Sequence, residues 1–67
     1  MFEQRFIVQD LESHEFLYPD AQGDIGQTPF IKHAGQYDTF EDAFNAGTEE
    51  IGDMFTVFSF YERKQKA

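Results

Sequence analysis

The spacing of apolar and polar residues changes along this chain, and each spacing predicts an element. Residues 2–9, F-E-Q-R-F-I-V-Q, alternate. Phe2, Gln4, Phe6 and Val8 share one face; Glu3, Arg5, Ile7 and Gln9 share the other. That period of two predicts a strand with its first face toward the core and Ile7 as an apolar exception on the second. Residues 10–14, D-L-E-S-H, are polar and turn-like. Residues 15–18, E-F-L-Y, predict a second short strand joined to the first in an antiparallel hairpin. Pro19 ends it, because proline has no N–H to give to a ladder.

Residues 19–29, P-D-A-Q-G-D-I-G-Q-T-P, read as the longest irregular stretch, and a loop of that length in a small domain is usually functional or mobile. Phe30 and Ile31 predict a brief extended piece running into Ala34 and Gly35. The period then changes. Phe40, Ala43, Phe44, Gly47 and Ile51 fall on one stripe of a helix. Thr39 is its N-cap, with Glu41 and Asp42 in the first turn, where the helix dipole favours negative charge. Gly47 costs ~1 kcal/mol against alanine in a helix, and its place on the stripe implies close packing onto a sheet. Gly52 stops the helix.

Residues 54–61, M-F-T-V-F-S-F-Y, carry no charge and favour strand. Both faces are largely apolar, which suits a central strand covered by the helix on one side and by a loop or second subunit on the other. On an edge such a strand is an aggregation hazard. The pattern assigns Phe2, Phe6, Phe40, Phe44, Phe58 and Phe60 to the space between helix and sheet. It leaves Phe55 on the opposite strand face and Phe30 beside the loop. The resulting fold is α+β: a small antiparallel sheet in strand–strand–helix–strand order, with one helix packed on one face.

Composition sharpens this picture. The chain has 67 residues and no cysteine, so one domain is expected and no disulfide can staple it. Apolar burial must carry the fold, and nine phenylalanines are available for it. No apolar run approaches a membrane span, and no charged-then-apolar leader opens the chain. The net charge is −8, but it is unevenly placed. Residues 1–62 set Arg5 and Lys32 against all 13 acids, a net −11. The remaining bases, Arg63, Lys64 and Lys66, lie in the last five residues. The expected division is a compact domain over 1–62 and a short basic tail over 63–67. An acidic body disfavours direct contact with nucleic acid or anionic lipid, and the missing cysteines are compatible with a cytoplasmic setting.

Catalytic and metal chemistry find little footing. Asp10, Glu12, His14 and Glu15 crowd the first turn at a spacing open to a hard divalent cation, but without a calcium-loop signature or a carboxylate–histidine pair on a helix, so a solvated hairpin turn is expected. Asp20 and Asp24 flank Gly23 without the order of a calcium loop. His33 has no nucleophile or orienting acid at a recognisable spacing, and Ser13 beside His14 is not a triad pattern. The glycines at 23 and 26 lack the spacing and lysine of a phosphate loop. No enzyme activity and no cofactor are expected.

Four short segments are similar to pieces of small, largely uncharacterised proteins encoded by bacteriophages, prophages and related mobile elements. They are F-I-V-Q-D at 6–10, F-L at 16–17, T-F-E-D-A at 39–43 and F-T-V-F-S-F at 55–60. The resemblance implies a small strand–strand–helix–strand domain with an accessory or host-modulating role in a host cytoplasm. It carries no catalytic residue. The function expected is that of a small acidic module that binds another, basic protein. Its expected contact surface comprises the acids Asp20, Asp24, Glu41, Asp42, Glu49 and Glu50 with the aromatics Phe30 and Phe55. The alternatives are a nucleic-acid mimic that inhibits a DNA- or RNA-binding enzyme, and a structural subunit that self-associates, as in a homodimer, through the last strand.

Overall fold

The computed structural model describes residues 1–20 and 22–63. The alternating N-terminal segment forms β1 (Phe2–Asp10) and hairpins into β2 (Phe16–Pro19). There follow β3 (Ile25–Thr28), one 3-10 turn (Ile31–His33), helix α1 (Phe40–Glu50) and β4 (Phe55–Arg63). The four strands form one antiparallel sheet in the order β3-β2-β1-β4, and α1 packs on one face of it, an α+β fold.

Asp10 builds the first hairpin. Its Oδ1 accepts the N–H groups of Glu12 at 2.8 Å and Ser13 at 3.3 Å, and its Oδ2 accepts from Gln27 Nε2 at 3.1 Å. His14 completes the turn at φ 65°. Beyond the pair Gln9–Phe16 the two strands diverge. Residues 35–37 enter the gap as a wedge. Gly35 donates to the Leu17 carbonyl at 2.8 Å, while Phe6 and Tyr37 exchange both backbone bonds at 3.0 and 2.8 Å. A Cβ on Gly35 would stand 2.9 Å from Pro19 Cδ, so the wedge requires glycine there. Arg5 ties the entry to α1 to the sheet, bonding Glu3 on its own strand, Glu62 on β4, and Asp38.

The helix starts as its sequence predicts. Thr39 is extended, at φ −132° and ψ 156°, and its hydroxyl accepts the Asp42 N–H at 3.1 Å. Ala43 and Gly47 are buried against the sheet. A Cβ on Gly47 would lie 2.5 Å from the Phe55 ring, which is the close packing its position implies. Val8, Leu17 and Ala43 form the core, with Phe6, Tyr37, Ala46, Ile51, Phe55 and Val57 around them. On the far face Ile7 and Phe16 are buried.

Several expectations are corrected. Part of the stretch read as irregular, 19–29, is β3, closed by a turn in which Asp20 Oδ1 accepts the N–H groups of Gln22 and Asp24. Phe30 and Ile31 do not form an extended piece: Ile31 begins the 3-10 turn. The uncharged last strand is at an edge of the sheet, not its centre. Its faces are also reversed from the reading above. Register with β1 sets Phe55 and Val57 beside Asp10 and Val8 under the helix, and Phe58 and Phe60 beside Ile7 and Arg5 on the far face. Phe2, Phe40 and Phe44 are exposed and do not fill the core. Arg63 belongs to β4, not to a separate tail, and Lys64 and Lys66 lie outside the described residues.

Candidate interaction surface

The outer edge of β4 has no strand beside it among the described residues. Which of its backbone groups are left open follows from two sets of bonds. Leu11 N–H reaches the Met54 carbonyl at 2.9 Å, continuing the β1–β4 ladder, while Phe6 gives both its groups to Tyr37, away from β4. Antiparallel bonding alternates. The even-numbered residues of β4 therefore bond β1, and Phe55, Val57, Ser59 and Tyr61 aim N–H and C=O outward.

An apolar groove flanks this edge on each face. The groove on the helix side has a volume of about 310 Å³ and is lined by Phe40, Phe44, Asp53, Phe55, Thr56 and Val57. Its aromatic wall is a ladder. Phe6 meets Phe40 edge-on at 6.3 Å between centroids, Phe40 stacks on Phe44 at 5.8 Å, and Phe44 leans on Phe55 at 5.5 Å. The groove on the far side is about 360 Å³, lined by Ile7, Ile31, Gln36, Phe58, Ser59 and Phe60. The wall residues remain open to solvent: Phe40 is 54% exposed, Phe44 47% and Phe58 45%, and Tyr61 at the strand's end is 68% exposed. Open backbone polarity and exposed aromatic surface thus share one border of the molecule.

The acids expected to form a contact surface are not gathered there. Glu41 and Asp42 sit in the first turn of α1, Glu49 and Glu50 in the last, roughly 12 Å apart along the axis. Residues 43–48 between them are uncharged. Asp20 and Asp24 lie on the β2–β3 turn beside the opposite edge strand. Asp20 is half-buried and engaged by two amides, so its part is to shape the turn. Phe30 is exposed and edge-on to His33 at 6.0 Å. Phe55 is half-buried beneath Gly47 and enters the surface only as part of the groove wall. Sequence reasoning missed Phe40, Phe44 and Phe58, having sent all three to the core. The signal was present: an eight-residue uncharged strand with aromatics on both faces exceeds what one helix can cover.

Chemistry of other kinds finds no cluster. Among the described residues no group of three or more histidine, aspartate or glutamate side chains is placed to hold a metal ion. The Asp10 carboxyl is held below its ordinary range first by the Glu12 amide, and further by Gln27, Ser13 and nearby His14, against an opposing push from burial. No helix among the described residues is long and apolar enough to cross a membrane. Set against models of protein families, curated proteins and solved structures, the chain has no match.

Proposed function

We propose that this protein is a non-enzymatic interaction module that binds another polypeptide by strand addition along the outer edge of β4. The observation that carries the reading is the open row of N–H and C=O groups between two exposed aromatic grooves. In strand addition main-chain bonds supply affinity, and pockets on alternating sides supply specificity. Both requirements meet on one strand here. The acids at the ends of α1 stay clear of this border and are free to steer a basic protein toward it. The resemblance to small phage-encoded proteins supports an accessory role of this kind, exercised on a host protein in the cytoplasm.

Ser59→Pro tests the reading. The Ser59 N–H aims outward, so proline there removes an edge donor without taking a bond from the β1 ladder, and edge strands tolerate it. Wild-type and S59P proteins are immobilised and challenged with the same host lysate. Loss of the captured proteins in S59P, with an unchanged circular dichroism spectrum, is the expected result. Identical capture by both, with wild type a monomer in sedimentation, sinks strand addition.

A further inference from the structure

Resting on strand addition at β4, we infer that the strand added is β4 of a second copy, giving a two-fold dimer with a continuous eight-stranded sheet and Phe58 at the symmetry axis. The β4 border is self-complementary. Antiparallel pairing about a two-fold brings the start of one β4 to the end of the other. The helix-side groove lies at the start, lined by Phe44, Phe55 and Asp53. The side chains able to fill it, Tyr61 and Arg63, lie at the end and on the same face. One register joins them all. With Phe58 opposite its own copy, Val57 faces Ser59, Phe55 faces Tyr61 and Asp53 faces Arg63 across the interface. Tyr61 then lies against the Phe44–Phe55 pair and Arg63 opposite a carboxylate, and each contact occurs twice. Sliding the register by one step either way moves Asp53 away from Arg63.

The hydrogen-bond pattern agrees with this register. Val57, Ser59, Phe55 and Tyr61 are the residues with outward backbone groups, and here they meet one another. Phe58 then occupies the non-hydrogen-bonded position on the axis, where facing side chains come closest. The layer above fits as well. Helix α1 packs over both β1 and β4. At ~4.8 Å per strand the two helices of the dimer run roughly 10 Å apart, near the distance at which helices pack. The exposed Phe40 and Phe44 then lie along the seam between them, while the acids of the helix ends remain outside.

The chain has no cysteine, so single cysteines give a direct test. Under mild oxidation Phe58→Cys should link to itself in high yield. Thr56→Cys and Phe60→Cys, which face each other in this register, should link only when the two variants are mixed. Asp24→Cys, on the far edge of the sheet, measures random collision. Sedimentation equilibrium from low micromolar to submillimolar concentration should show a wild-type dimer and an S59P monomer. A wild-type monomer throughout, or Phe58→Cys linking no faster than Asp24→Cys, overturns the dimer; faster linking at Val57→Cys or Ser59→Cys than at Phe58→Cys overturns the register. A monomer whose lysate capture is still lost in S59P removes the second copy and leaves strand addition standing. Capture unaffected by S59P, with wild type a monomer, removes strand addition itself.

Discussion

Gly47 decides how closely the helix approaches the sheet. Its missing side chain is replaced by the Phe55 ring, and a Cβ would sit 2.5 Å from that ring. Gly47→Ala gains ~1 kcal/mol of helix propensity, but overpacking a fitted contact costs about 1–3 kcal/mol. The expected net is a loss of about 1 kcal/mol by urea denaturation. Gly47→Ala combined with Phe55→Leu should recover much of that loss, and strictly additive effects would show that the ring is not what alanine meets. Asp10 gives a second prediction. Its folded value is depressed below 3.8, chiefly by the Glu12 amide. Such a group adds stability above its unfolded pKa and loses it as pH falls through the folded value. The stability gap between wild type and Asp10→Asn should therefore be full at neutral pH and shrink below pH ~4. A gap that does not change with pH would remove the charged carboxylate from the account. Gly47 was legible in the sequence because a costly residue on an apolar stripe needs a reason. Asp10 was not, because its partner Gln27 belongs to a strand that the sequence did not reveal.

The elements differ in how plainly the chain announces them. Helix α1 is written twice, in its 3.6-residue stripe and in its Thr39 cap; the cap is realised, while of the stripe Ala43 and Gly47 are buried and Phe40 and Phe44 stay exposed. Thr39→Ala removes the acceptor for the Asp42 N–H, so it should cost about 1 kcal/mol and speed hydrogen exchange in the first turn more than in the last. Uniform acceleration along the helix would assign the loss to global stability instead. Strand β3 is the opposite case. I-G-Q-T has no clear alternation, and Gly26 offsets the strand propensity of Ile25 and Thr28; it is a strand because the Asp20 turn delivers it to β2. The sign of that turn was an aspartate followed three residues later by glycine, which here takes φ 86°. Strand β4 was legible as a strand, but its orientation was not. With apolar residues at both parities, M-F-T-V-F-S-F-Y supports either face inward, and only register with β1 chooses. Its place at the edge was equally hidden, since nothing local to a strand states which neighbours it has.

At the scale of the whole molecule, the uncovered aromatics and the charge act against each other. Phe2, Phe30, Phe40, Phe44 and Phe58 are exposed, so five of the nine phenylalanines that the composition offers to a core are not in one. Burying three of them, Phe40, Phe44 and Phe58, between two copies favours association. Each copy brings a net −8, which opposes it. At close approach this repulsion between bodies is screened by salt, with a Debye length of about 10 Å at 0.1 M and about 3 Å at 1 M. The apolar seam is not weakened by salt. Raising sodium chloride should therefore tighten the dimer, even though it screens the two contacts between Arg63 and Asp53. Those contacts can be isolated by charge exchange. Asp53→Arg alone opposes Arg63 with a like charge in the dimer and should weaken association, as should Arg63→Asp alone. Asp53→Arg with Arg63→Asp should restore it, because the pairing is re-formed with its polarity reversed and the net charge is unchanged. Sedimentation in low and high salt reads all four proteins. A dimer that weakens steadily with salt, or a double exchange no tighter than either single change, would place the attraction between copies somewhere other than this border.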